Sequence, residues 1–242
     1  MRNWSEGLKV YIDTRLGDVN RLVSFTETLV IARDAYPDCG DYRPDARLPV
    51  GFRELDEQQL ETYTAPLEEL TIGNELDFIA VFRPDPETEA QSDFSPFFSL
   101  SPVVELPPSV DEENRPSITV DPESGLRMGM HLDTWDQLDL ATRWKSRNRI
   151  VVNKGPASRY VYVVPIPIEE MARCPASTDG IHPCEIADRY MAANPNVPCL
   201  RIRQSTDVAY VCCTERLVHD ACKGENGATT ESRHYLGHFV KN

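Results

Sequence analysis

Tyr160-Val161-Tyr162-Val163-Val164-Pro165-Ile166 is the stretch on which the fold turns. It is short, rich in β-branched and aromatic residues and bounded by turn-forming residues, the composition of a strand. On either side of it, runs of four to eight residues with the same character recur at 117–120, 127–133, 149–153, 200–203, 208–213 and 233–240. That succession predicts a mainly β chain with flanking helices, in which 117–242 forms an antiparallel barrel or jelly roll. One helix interrupts the strands over 183–193, with Ile186, Tyr190 and Met191 on one face. The chain has no internal repeat and no low-complexity segment.

Towards the N-terminus the pattern differs. Val19, Leu22, Phe25, Leu29 and Val30 recur at three- and four-residue steps, which predicts a helix over 18–35 capped by Asp18. A second, acid-rich helix is expected over 54–63, with Leu55 and Leu60 inward. Residues 77–82 follow as a buried strand that Pro84 stops. Residues 84–116 contain seven prolines, too many for regular helix or a central strand, and read as a long loop with the character of a lid. The expected organisation is one domain spanning 1–242, made of a helical part (1–76), the proline-rich loop (84–116) and the barrel (117–242).

Composition narrows the partners. The 242 residues carry 25 Lys and Arg against 39 Asp and Glu, a net charge of −14. Residues 1–140 hold 11 basic and 29 acidic side chains, and residues 141–242 hold 14 and 10. So negative a surface repels phosphate backbones and anionic lipid, which argues against nucleic acid or membrane, while the basic excess of 141–242 is compatible with an anionic small molecule as partner. No apolar run reaches the ~20 residues of a membrane span. The first seven residues lack the regions of a signal peptide, so a cytoplasmic location is expected, with the seven cysteines reduced. Oligomeric state is not legible.

The triplet His131-Leu132-Asp133 carries the chemistry. On a strand, residues i and i+2 project to one side, so the imidazole and the carboxylate point together. Two histidines and one carboxylate form the facial triad of non-haem Fe(II) sites, which leaves coordination positions open. His219 follows directly on the run 208–213, where a rim ligand is expected. Arg233 opens the last run, where its planar guanidinium is suited to gripping a carboxylate through two hydrogen bonds.

An HxD pair, a distal His and an Arg on the next strand resemble the iron(II)- and 2-oxoglutarate-dependent dioxygenases, over roughly residues 117–242. The resemblance implies a double-stranded β-helix (jelly roll, cupin-like) core, with Fe(II) held by His131, Asp133 and His219. It implies 2-oxoglutarate as cosubstrate, its distal carboxylate on Arg233 with Tyr235 beside it, and O2 as oxidant. Many members have Ser where Tyr235 stands. The implied reaction is hydroxylation, desaturation or ring closure of a small molecule such as an amino-acid derivative or natural-product intermediate. Asp133 fills the position that halogenating relatives leave to chloride.

Neighbouring residues allow two readings each. Arg149 and Asn153 share one face of 149–153 and either meet the cosubstrate or line a polar outer face. Trp135 either lines the substrate pocket or packs in the core. A cupin-type metal module without redox turnover needs the same histidines but not Arg233. A structural zinc site would draw on Cys174, Cys184, Cys199, Cys212, Cys213, Cys222 and His182, yet no CxxC pair occurs, and buried free thiols are the alternative. Phosphate-binding glycine loops are absent from the sequence.

Overall fold

The computed structural model describes residues 8–38, 40–71, 78–85, 94–111, 116–173, 180–223 and 229–242. Among them the chain is mainly β. In order, the elements are β1 (Lys9–Ile12), α1 (Val19–Leu22), β2 (Val23–Thr26), β3 (Leu29–Ile31), α2 (Ala32–Ala35), β4 (Arg47–Pro49), α3 (Glu57–Tyr63) and β5 (Thr64–Pro66). They continue with β6 (Phe78–Phe82), β7 (Phe97–Ser99), β8 (Val104–Asp111), β9 (Asn148–Asn153), β10 (Arg159–Pro167), α4 (Ile168–Met171) and α5 (Pro183–Ala193). The last are β11 (Cys199–Gln204), β12 (Ala209–Cys212), β13 (Leu217–Lys223), β14 (Thr230–Gly237) and β15 (Phe239–Lys241).

Two sheets dominate. The larger has seven strands in the order β5-β1-β6-β12-β9-β14-β8, and the smaller four in the order β13-β10-β11-β2. The pairs β1–β5 and β1–β6 are parallel; the rest of these two sheets is antiparallel. Side-chain alternation assigns the faces. Val151 stands opposite Tyr210 and His234, while Val161 and Val163 stand opposite Ile202 and Leu200. Ile79, Val81, Val151 and Tyr210 of the large sheet pack with Val161, Val163, Leu200 and Ile202 of the small one, so the sheets face each other across a shared core. The outer face of the large sheet, with Ile150, Val152, Val211 and Tyr235, is covered by Phe94, Phe97 and Phe239. The outer face of the small sheet, with Tyr162, Val164 and Val218, is covered by Ile186, Tyr190 and Met191 of α5.

Helix α5 spans the residues that its periodicity predicts and is capped by His182, whose ring accepts from the Cys184 amide. Helix α3 begins at a capping box between Asp56 and Gln59, inside the expected 54–63.

Three expectations are corrected. The helix expected over 18–35 is two single turns, α1 and α2, with β2 and β3 between them. Phe25, which belongs to the helical spacing, also stands two residues from Val23, and pairing of Val23 and Phe25 with Ile202 and Leu200 on β11 favours the strand. The proline-rich segment is not all loop. It contributes β7 and the edge strand β8, with Pro107 and Pro108 falling where the β8–β14 register shifts between Ser232 and His234, so the missing amides cost little. Residues 117–120 and 127–133 form no regular strand but make isolated bridges, Val120 to Arg127 and His131 to His219. Residue 77, in the expected 77–82 strand, lies outside the described residues.

Candidate metal centre

His219 stands in the middle of β13 opposite Val163, on the face turned to the shared core. The sequence reading had it just beyond a strand; it is within one. His131 reaches it from the irregular segment before Asp133. The two residues exchange both backbone hydrogen bonds, each at 2.9 Å, and their ring centroids lie 4.7 Å apart. Asp133 places Oδ1 3.7 Å from His131 Nε2 and Oδ2 3.6 Å from His219 Nε2. One ligand atom from each residue lies within 4.8 Å of the others, the one such His/Asp/His cluster among the described residues.

The imidazoles are oriented from behind. His131 Nδ1 lies 2.7 Å from the Gly129 carbonyl and His219 Nδ1 3.0 Å from the Leu217 carbonyl. A carbonyl only accepts, so each Nδ1 carries the proton and each Nε2 keeps its lone pair for the centre. Gly129 is suited to its place. Its φ is +70°, and a Cβ there would meet the Arg47 carbonyl oxygen at 2.6 Å.

A clamp that sequence reasoning missed holds the carboxylate's backbone. Arg143 is fully buried, and its guanidinium donates to the carbonyls of Asp133, Leu138 and Glu215. The Asp133 amide donates to the Thr214 carbonyl at 3.1 Å. The loop carrying Asp133 is thereby tied to the turn between β12 and β13.

Arg149 enters from the inner face of β9. Its Nη1 lies 3.0 Å from Asp133 Oδ2, and its Nη2 lies 3.1 Å from His219 Nε2. Burial alone would raise the Asp133 pKa, but the charges of Arg149 and the two histidines outweigh it and hold the carboxyl well below its usual range. Burial pushes His219 down to about 3, with His131 and Arg149 adding to the effect against the attraction of Asp133. For His131 burial acts downward, yet the neighbouring carboxylates of Asp133 and Asp220 leave its pKa raised.

A cavity of about 360 Å³ opens beside the centre, with His219, Arg149, Arg159, Tyr210, Asp220 and His234 in its wall. Trp135 also lines it and is 48% exposed. Arg159, which the sequence reading did not single out, is buried. Its signal was present, because Arg159, Val161 and Val163 share one strand face and a basic residue on an otherwise apolar face stands out. His234 also faces the cavity, and burial pushes it down to about 2.

The structure does not bring the other expected anion ligands here. Arg233 and Tyr235 share a face of β14, but it is the outer one. Arg233 is exposed, and Tyr235 packs in the outer core with its ring 4.6 Å from that of Phe94. Asn153 is fully buried; its amide donates to the Ala157 and Gln204 carbonyls and accepts from the Gly155 amide, which is a structural role. Cys184, Cys199, Cys212, Cys213 and Cys222 are free thiols, and none joins a metal-binding cluster among the described residues. Cys174 lies outside those residues. Burial pushes the Cys184 and Cys222 thiols up to about 11 and Cys213 to about 12. No helix among the described residues is long and apolar enough to cross a membrane.

No family model and no curated protein matches the chain. Two solved structures show similarity, both crystal structures of the Kdo hydroxylase KdoO, described as a non-haem Fe(II) alphaketoglutarate-dependent dioxygenase. One is in complex with cobalt(II), at 12% identity over 45% of this chain and 44% of that one, with a TM-score of 0.31. The other, with alphaketoglutarate and Fe(III), is 13% identical over 45% of each chain, with the same TM-score. The chain thus covers less than half the length of those structures.

Proposed function

We propose that this protein is an Fe(II)- and 2-oxoglutarate-dependent oxygenase acting on a small molecule, with a double-stranded β-helix core. The observation that carries the reading is the convergence of two imidazole Nε2 lone pairs and one ionised carboxylate beside an arginine-lined cavity. That donor set suits a divalent first-row metal with open positions. Bound Fe(II) supplies the activation of O2 that couples decarboxylation of 2-oxoglutarate to oxidation of a substrate C–H bond.

The chain's own residues bind, orient and exclude water. His131, Asp133 and His219 hold the metal, and the Gly129 and Leu217 carbonyls fix the ring orientation. Arg149 and Arg159 receive the cosubstrate's carboxylates, the task first assigned to Arg233. In the antiparallel register, Arg159 stands four residues from Val163, the partner of His219, or about 13 Å along the strand. That leaves room for a dicarboxylate between a long arginine side chain and the centre. Trp135 stands at the open side, where a substrate enters. The test is slow succinate formation from 2-oxoglutarate by Fe(II)-loaded protein without added substrate. Turnover lost in Asp133→Ala supports the reading, and no succinate from wild type that binds both ligands contradicts it.

A further inference from the structure

Arg149 occupies the donor atoms that a metal needs. With Nδ1–H given to the Leu217 carbonyl, His219 has one lone pair left, on Nε2, and the guanidinium of Arg149 donates to it at 3.1 Å. The same guanidinium meets Asp133 Oδ2 at 3.0 Å. A metal ion on His219 and Asp133 therefore displaces two contacts of a cation, and would lie beside that cation if the side chain stayed where it is.

Arg149 has somewhere to go. Its backbone is fixed by pairing with Cys212 and Leu236, so only the side chain moves. It already lines the cavity with Arg159, Tyr210 and His234. Its Nε–H is buried and has no hydrogen-bond partner among the described residues, which leaves a donor for an incoming anion. A carboxylate there offers a bidentate partner that replaces Asp133 and His219.

We propose that Arg149 is a displaceable internal cation that closes the His131/Asp133/His219 site until a carboxylate ligand draws it into the cavity, making metal and anion binding mutually reinforcing. The inference rests on the metal-centre reading above. Each ligand moves Arg149 in the direction the other requires, so the coupling is reciprocal. The protein without its anion then discriminates against metal, and metal is retained chiefly in the complex ready to react.

The test is Co(II) titration of the purified full-length protein by calorimetry and visible absorption, with and without 2-oxoglutarate. Wild type, Arg149→Gln, Arg149→Lys and His219→Ala are compared. The expected result is that Arg149→Gln binds Co(II) alone at least about tenfold more tightly than wild type, within the usual range of coupling between sites. Its enhancement by 2-oxoglutarate shrinks relative to wild type. Arg149→Lys, which keeps a cation but loses the fork, falls between and guards against a folding defect in the Gln variant. If Arg149→Gln and Arg149→Lys bind Co(II) no more tightly than wild type while His219→Ala loses it, the gating role is overturned and the metal centre stands. If His219→Ala binds Co(II) as wild type does, or no protein binds it, the metal centre fails and the gate with it.

Discussion

His131 and His219 are hydrogen-bonded backbone to backbone in both directions, 2.9 Å each way, although one lies in an irregular segment and the other in mid-strand. The proposed centre is thus built on a single rung of pairing. The main chain sets the spacing of the rings, and Asp133, two residues on, completes the set.

Because that rung is backbone, replacing either ring should not undo it. His131→Ala and His219→Ala are expected to unfold cooperatively, with apo stability lowered by about 1–3 kcal/mol for a buried truncation. Both should lose the rise in melting temperature that Co(II) gives wild type. Differential scanning calorimetry with and without Co(II) checks this.

Asp133 is the counter-charge of Arg149, and both are largely buried. Removing one partner of such a pair costs about 3–5 kcal/mol, because the other charge is left stranded. Asp133→Asn should show that loss in urea unfolding, and the double variant Asp133→Asn with Arg149→Leu should recover part of it. Equal stability of Asp133→Asn and wild type would remove the pair from the account.

The two arginines proposed in turn for the cosubstrate separate cleanly. Arg233→Ala, on the exposed outer face, should alter stability by no more than about 0.5 kcal/mol and leave 2-oxoglutarate affinity unchanged. Arg159→Met should weaken that affinity by about tenfold or more, as expected for a lost charge-assisted hydrogen bond worth about 1.5–3 kcal/mol. Calorimetric titration of 2-oxoglutarate into the Co(II)-loaded proteins reads both.

Asp220 gives a pH signature. Burial pushes its carboxyl from the ordinary 3.8 up to about 6. Between those values the folded protein holds a proton that the unfolded chain has released. The stability is present below pH ~4, is lost as pH rises towards 6 and is level above. At 1.36 kcal/mol per unit the loss is about 3 kcal/mol. Asp220→Asn should exceed wild type by up to that amount at pH 7 and match it near pH 4, measured by urea denaturation at both.

The features most legible in the sequence are those whose spacing is local. His131 and Asp133 are two residues apart and stay together although 127–133 forms no regular strand, and helix α5 shows in its periodicity. The face of a strand is harder to read. Along Arg233-His234-Tyr235-Leu236 both faces mix polar and apolar residues, and both are partly buried because the large sheet has a core on each side. Nothing in the alternation says that His234 looks inward and Arg233 outward. Arg159 was more legible, since its neighbours Val161 and Val163 are plainly inner residues. The failed helix over 18–35 has a related cause: Leu22 and Phe25 fit a helical stripe, Val23 and Phe25 fit a strand face equally well, and pairing with β11 decides between them.

The most direct measurement of the central claim is anaerobic titration of metal-free protein with Fe(II) and 2-oxoglutarate, followed by visible absorption. The expected result is the charge-transfer band of a chelated 2-oxo acid, saturating at one iron per chain and absent in His219→Ala. A folded wild-type protein that takes up both and shows no band would contradict it.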